Sequence, residues 1–345
     1  MVEKGDNYQR NIINEMEMKI DGEKKLRTEK CKKSEKNQNI INNSYESSLN
    51  SSVSTKNFEN KDNSNKVNNN FDIIFSNIHD KNLYIEEYLE ELYFNLLEEE
   101  KGLIKKPIYG YMSLQNNINS KMRALLIDWL IGVHFVLNLK EETLYQTIWI
   151  IDTYLSFEII ERKNFQLLGI TSLFIACKNN EIVIPDNNNF VILTDGAYEM
   201  EELLSMEKKI LYKIDFNILA PTTLHFYNIL SKVFNFDKTK YNLGKYIMET
   251  SLLEDNFLYF PPSIIALTCI YMVIKFFGIK ESLFLLFINN CKNIYNSSQK
   301  NIIKELAEQL RFWIKDLNKT NLLSIKQKYS SDKFDRVALF HEMFN

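Results

Sequence analysis

Two stretches of this 345-residue chain are apolar on every side of a helical wheel. Lys163–Lys178 carries Leu167, Leu168, Ile170, Leu173, Phe174, Ile175 and Ala176; Ser263–Phe277 carries Ile264, Ile265, Ala266, Leu267, Cys269, Ile270 and Val273. A helix without a polar face has to be enclosed, by other helices or by lipid. Neither run reaches the ~18 or more apolar residues that span a bilayer, and no N-terminal stretch reads as a signal peptide. Each run is therefore expected at the centre of its own helical domain.

Helical patterns flank both centres in the same order. Before the first lies a helix whose apolar stripe is Met122, Leu125, Leu126, Trp129, Leu130 and Val133, with Ser120 as its expected N-cap. Asn138–Lys140 breaks it, and Glu141–Phe157 follows. Behind the first centre come Pro185, a short helix at Phe190–Leu193, and Glu199–Ile214, whose acidic opening suits the positive end of a helix dipole. Past Pro221 the scheme repeats as Thr222–Phe234, Lys240–Phe257, Ser263–Phe277, Ser282–Asn290 and Gln299–Leu317, with Ser324–Tyr329 behind them. Two successive five-helix units, each with an apolar third helix, predict a duplicated all-α fold. The low counts of Gly (9) and Pro (5) favour helix over sheet in the same way.

The N-terminal part is different material. Asn37–Asn70 is mostly Asn, Ser, Lys and Asp and has too little apolar surface to offset the entropy of ordering. Residues 81–100 alternate Glu with Leu83, Ile85, Tyr88, Leu89, Leu92, Tyr93, Leu96 and Leu97, which is the pattern of an amphipathic helix ended by Pro107 and Gly110. The predicted organisation is a disordered extension over 1–70, an N-terminal helix and connector over 71–118, a first five-helix domain over 119–220 and a second over 221–345.

Searches for an enzyme site fail. The chain has no Gly-rich phosphate loop, no H-E-x-x-H and no G-x-S-x-G. His79, His134, His225 and His341 are scattered, and Cys31, Cys177, Cys269 and Cys291 form no C-x-x-C, so neither metal nor cofactor is expected. A net charge of −3, without a basic stripe interleaved with aromatics, gives no reason to expect nucleic acid as partner. Sparse cysteine suits a reducing compartment, nucleus or cytoplasm. Two charges stand out instead: Arg123 and Asp128 sit within the most apolar part of the Met122 helix, where an unpaired charge is costly to bury.

Four segments of the first unit carry a resemblance to a cyclin box: Met122-Arg-Ala-Leu-Leu-Ile-Asp-Trp-Leu130, Trp149-Ile-Ile-Asp-Thr-Tyr-Leu-Ser156, Phe165-Gln-Leu-Leu-Gly169 and Ile175-Ala-Cys-Lys178. It continues through Glu181, Pro185, Thr194-Asp195, Tyr198, Met206-Glu207, Leu211, Phe216 and Ala220-Pro221-Thr222. In the second unit Lys245-Tyr246-x-Met248-Glu249, Phe260-Pro-Pro-Ser263 and Lys326-x-Lys328-Tyr329 resemble mitotic A/B-type cyclins, with His225-Phe226 and the Pro-Pro pair closer to the B type.

The resemblance implies two cyclin-box domains and a regulatory subunit, itself not an enzyme, that activates a cyclin-dependent Ser/Thr kinase and controls mitotic progression. Its kinase grip falls on Lys178 and Glu207, with Glu181, Ile175, Phe216 and Ile218 on the same surface. The spacing of Lys178 and Glu207 also fits an intramolecular ion pair or two solvated charges, and Phe216 and Ile218 also fit a core. A groove for substrates or inhibitors bearing Arg-x-Leu motifs falls on Met122, Leu125, Leu126, Trp129, Phe165 and Gln166; spacing alone fits core for all but Gln166. Arg123 and Asp152 match a family ion pair.

Four positions depart from the family pattern. Asn179 and Asn180 stand where an aromatic residue and Glu are usual, Ile184 replaces a proline, and Gly132 replaces an acidic groove residue. Arg10-Asn-Ile-Ile13 is a degenerate version of the Arg-x-x-Leu destruction signal. A second class stays open: a cyclin-box adaptor acting in transcription or other protein assembly. The acidic balance and the Lys178/Glu207 match favour the kinase subunit.

Overall fold

The structure is a computed structural model that describes residues 88–290, 297–317 and 319–340. The 1–70 extension, the Arg10–Ile13 signal, the first part of the 81–100 helix, His79, His341, Cys31 and Cys291 lie outside the described residues.

Helix α1 spans Leu89–Gly102. The first five-helix unit follows: α2 Ser120–Val136, α3 Glu141–Phe157, α4 Phe165–Asn180, α5 Asn187–Ile192 and α6 Met200–Lys213. The second runs α7 Thr223–Val233, α8 Lys238–Leu252, α9 Pro262–Phe276, α10 Glu281–Asn290 and α11 Ser297–Leu317, with α12 at Ser324–Tyr329. Among the described residues there is no strand, and no helix is long and apolar enough to cross a membrane. The two all-round apolar segments are α4 and α9, third in each unit.

Local chemistry explains most helix ends. Glu199 and Glu202 form a capping box at the start of α6, and Thr222 and His225 form one at α7. Three expectations shift. Ser120 is not the N-cap of α2: Asn119 Oδ1 accepts the Met122 N–H at 3.1 Å, while the Ser120 hydroxyl donates to Asp255 at 2.8 Å. Helix α8 stops at Leu252 rather than Phe257, because Glu254 accepts hydrogen bonds from Asn256 and starts a 3-10 turn over Asp255–Tyr259. Helix α1 ends at Gly102, ahead of the Pro107 connector.

Two cores form, and α2 and α3 serve both. Met122, Leu126, Trp129, Leu130 and Val133 pack with α4 in the first core. Ile127 and Ile131 of α2, and Leu144, Tyr145 and Ile148 of α3, turn into the second core around α9, joined there by Leu89, Tyr93 and Leu97 of α1. The breadth of apolar residues on α2 thus has a simple cause: two of its faces are enclosed.

Polar contacts across the two units sit mainly at helix ends. Glu100 of α1 accepts the Ser263 N–H at 2.9 Å and its hydroxyl at 2.7 Å, which caps α9, whose own N-cap Pro261 supplies no side-chain bond. Lys245 of α8 pairs with Glu141 at the first turn of α3. Behind it, fully buried Glu249 accepts from Lys328 at 2.7 and 2.9 Å and from the Tyr329 hydroxyl at 2.7 Å. Burial alone works to raise the Glu249 carboxyl, but these donors and Lys245 hold it below its ordinary value.

Candidate partner-binding surface

Helix α4 is buried from Phe165 to Cys177 apart from Gln166, then emerges at Lys178. The Lys178 ammonium lies 4.2 Å from the centroid of the Phe174 ring and forms an ion pair with Glu207 of α6. The two side chains are 37% and 12% exposed, so the pair borders solvent. The structure thus shows the intramolecular ion pair that the spacing of these two residues also fits.

The other residues matched by the resemblance lie at the end of α4 and in the turn after α6. Glu181 accepts the Lys140 N–H at 2.8 Å and the Thr143 hydroxyl at 2.5 Å, so it caps the start of α3. Phe216 is 60% exposed and meets Tyr212 edge-on at 5.4 Å. It sits in a turn in which Asp215 and Phe216 have φ of 54° and 56°. A left-handed conformation costs non-Gly residues energy and has to be held by its surroundings. Here the Phe216 N–H returns to the Leu211 carbonyl at 2.8 Å, and Lys105 of the α1–α2 connector donates to the Lys213 carbonyl and pairs with Asp215, both at 2.7 Å. Ile218 is half-buried against the first core. Ile175 is corrected: it is 3% exposed inside the first core, because α4 is enclosed on that side, and it offers no surface to a partner.

Sequence reasoning missed Gln146, Lys105 and Tyr212. Gln146 is the informative omission, a polar residue within the uninterrupted buried run Thr143–Ser156 of α3. Its Oε1 accepts from the amide nitrogens of Asn179 (3.1 Å) and Asn180, and its Nε2 donates to the Ile218 carbonyl at 2.7 Å. The two asparagines that depart from the family pattern therefore belong to an internal amide cluster.

The expected groove is mostly closed. Met122, Leu126, Trp129 and Phe165 are buried in the first core, and only Leu125 and Gln166 keep part of their surface. Trp129 Nε1 is buried without a hydrogen-bond partner. Gly132 borders α12: a Cβ there would stand 3.4 Å from Ser324 Oγ.

Arg123 and Asp152 form a bidentate pair at 2.7 and 2.6 Å, each 1% exposed. The Tyr111 hydroxyl donates to Asp152 Oδ1 at 2.7 Å, and Arg123 Nη1 donates to the Leu252 carbonyl at the end of α8 at 2.9 Å. Burial works against the guanidinium charge, yet the Asp152 carboxylate beside it raises its pKa further.

Nothing here resembles a metal centre: among the described residues no three His, Cys, Asp or Glu side chains gather. His134 Nε2 lies 2.7 Å from the Lys140 carbonyl, and burial, helped by Lys328, lowers its pKa to about 4. Cys177 and Cys269 are buried, with thiol pKa values pushed up by burial.

Tandem five-helix units around apolar third helices define a duplicated all-α scaffold. Comparison with known proteins gives its family. A model of the cyclin N-terminal domain matches residues 91–219, and one of the cyclin C-terminal domain matches 221–343; the chain belongs to the cyclin family. It is similar to the G2/mitotic-specific cyclin-B of Hydra vulgaris, 35% identical over 257 residues that cover 74% of this chain and 69% of that protein. Cyclin-B2-1 of Oryza sativa subsp. japonica is 40% identical over 185 residues, 54% of this chain and 44% of the relative. The solved structure of a viral cyclin from herpesvirus saimiri has the same fold, with a TM-score of 0.52 at 16% identity over 65% of this chain and 96% of that one.

Proposed function

We propose that this cyclin is the non-catalytic regulatory subunit of a cyclin-dependent Ser/Thr kinase, acting in mitotic progression in the nucleus and cytoplasm. The observation that carries the reading is the Lys178–Glu207 pair at the emerging end of α4, which borders solvent; Tyr212, in the last turn of α6, and Phe216, in the turn after it, are exposed. An ion pair that borders solvent on its Lys178 side has donors and acceptors to turn outward to the main chain of a docked segment, and the exposed Tyr212 and Phe216 rings offer apolar area to a partner. Such docking on the kinase helix that carries the glutamate partner of the ATP-positioning lysine completes a kinase active site without chemistry from the cyclin. The names of the similar G2/mitotic-specific cyclin-B proteins support the cell-cycle assignment.

The test is the double variant Lys178→Ala/Glu207→Ala. It is expected to keep its helical circular dichroism and to lose binding and activation of a purified mitotic cyclin-dependent kinase. Unchanged kinase binding would overturn the mapped surface.

A second role, recruitment of substrates or inhibitors with an Arg-x-Leu motif, is favoured by the unpartnered indole N–H of Trp129. Its neighbours Leu125 and Gln166 are the residues of that edge with surface to offer.

A further inference from the structure

Besides Glu207 and Tyr212 of α6, the kinase-facing surface proposed above includes two segments from different elements: residues 178–181 at the end of α4, and the turn from Asp215 to Ile218 after α6. One side chain of α3 bonds to both. Gln146 rises from the second turn of α3 and is 7% exposed. Its carbonyl oxygen accepts from Asn179 at 3.1 Å and from Asn180. Its amide nitrogen donates to the Ile218 carbonyl at 2.7 Å. Asn179 also donates to Asn180 Oδ1 at 3.2 Å, so the two asparagines are oriented together.

We infer that Gln146 is the positioning residue of this surface, fixing the distance and orientation between the Lys178–Glu181 segment and the Phe216–Ile218 turn. The inference rests on the proposed kinase reading for its consequence, but not for its geometry.

Three physical points carry it. A primary amide suits a bridge of this kind, because it offers an acceptor to one side and a donor to the other. A hydrocarbon side chain would leave the Ile218 carbonyl and the asparagine amides without these partners, and a carboxylate would face the Ile218 carbonyl with an acceptor. The α3 helix beneath is a rigid base, buried over Thr143–Ser156, so a bond to it fixes position. The Asp215–Phe216 backbone is strained, and a strained turn keeps its shape only while neighbouring bonds hold it. Along the chain, the bond at Ile218 lies two residues after Phe216, and the Lys105 contact with Asp215 lies one residue before it, so the turn is held at both ends.

The experiment compares full-length wild type with Gln146→Leu and Gln146→Glu. Amide hydrogen exchange is read without any kinase. The Leu variant is expected to speed exchange in both 178–181 and 215–219. The Glu variant keeps an acceptor for the asparagines and loses the donor to Ile218, so it is expected to speed exchange in 215–219 alone. Unchanged exchange in both segments for the Leu variant overturns the inference.

Affinity for a purified mitotic cyclin-dependent kinase is then measured by titration. Both variants are expected to bind about tenfold more weakly, equivalent to about 1.4 kcal/mol, with the thermal midpoint nearly unchanged. Loosened segments with wild-type affinity overturn the positioning role. If wild type itself binds no such kinase, the proposed function fails, and the exchange pattern still decides whether Gln146 couples the two segments.

Discussion

Asp128 and Ser324, 196 positions apart, meet at the N-terminus of α12. Asp128 Oδ1 accepts the Ser324 N–H at 3.0 Å and Oδ2 accepts its hydroxyl at 2.9 Å. The N-cap position of α12 is Leu323, which has no acceptor to give, so a carboxylate from the first unit caps a helix of the second. Gly132, one turn along α2, leaves room for that approach. Replacing Asp128 by Ala leaves the Ser324 N–H without its acceptor and is expected to cost about 1–3 kcal/mol. Asp128→Asn retains an acceptor and should cost less. Urea denaturation of the two variants measures both; equal losses would mean that the charge, rather than the cap, is what matters.

The same residue predicts a pH dependence. Burial pushes the Asp128 carboxyl from 3.8 up to about 6, although the Ser324 bonds pull it down. The folded chain therefore holds this proton more tightly than the unfolded one. The resulting stability is complete below the unfolded value near pH 4 and is lost as pH rises through about 6. Relative to Asp128→Asn, wild type is expected to lose up to about 3 kcal/mol between about pH 4 and about pH 7. Denaturation curves of both proteins across that range provide the measurement, and parallel pH profiles would count against it.

Arg123 ties three elements through one guanidinium: Asp152 of α3, Tyr111 of the connector, and the Leu252 carbonyl that closes α8. Removing either charge strands the other in the core. Arg123→Met or Asp152→Ala is expected to lose about 3–5 kcal/mol. Tyr111→Phe removes one neutral donor and should lose about 1 kcal/mol. The ordering of these losses in chemical denaturation is the test; a Tyr111 effect as large as the Asp152 effect would show that the hydroxyl, not the ion pair, holds the site.

Periodicity specified most helices because the helix-forming interactions there are local. Glu141–Phe157 and Ser324–Tyr329 begin and end where their patterns do. One misplaced end is local, where the Asn256–Glu254 bonds stop α8; the start of α2 has a tertiary cause. Asn119 and Ser120 are both good caps, and the Ser120–Asp255 bond decides between them. The site was legible only through the family resemblance: Lys178 and Glu207 are matched by it, and their spacing alone fits equally well the ion pair that they form. Ile175 and the groove residues were assigned to a partner surface by the family resemblance; Ile175, Met122, Leu126, Trp129 and Phe165 pack in the first core, as the spacing of the groove residues fits, and Leu125 and Gln166 keep surface. Asp128 lacked a nameable partner in the sequence, since its partner lies almost two hundred residues away, beyond any local pattern.

Trp129 separates docking from packing most sharply. Its ring fills the first core, while its buried N–H has no partner. Trp129→Ala empties a large volume and is expected to cost about 3–5 kcal/mol. Trp129→Phe keeps most of the ring contacts and removes the unsatisfied donor, so its stability should stay within about 1.5 kcal/mol of wild type. If the edge beside Leu125 and Gln166 opens to hold an extended Arg-x-Leu peptide, the indole N–H gains an acceptor there, and Trp129→Phe should weaken that peptide by about 0.5–1.5 kcal/mol. Phosphorylation of simple peptides by the bound kinase should not change. Fluorescence anisotropy with a labelled Arg-x-Leu peptide reads the difference. Equal peptide affinity in wild type and Trp129→Phe would assign the tryptophan to the core alone.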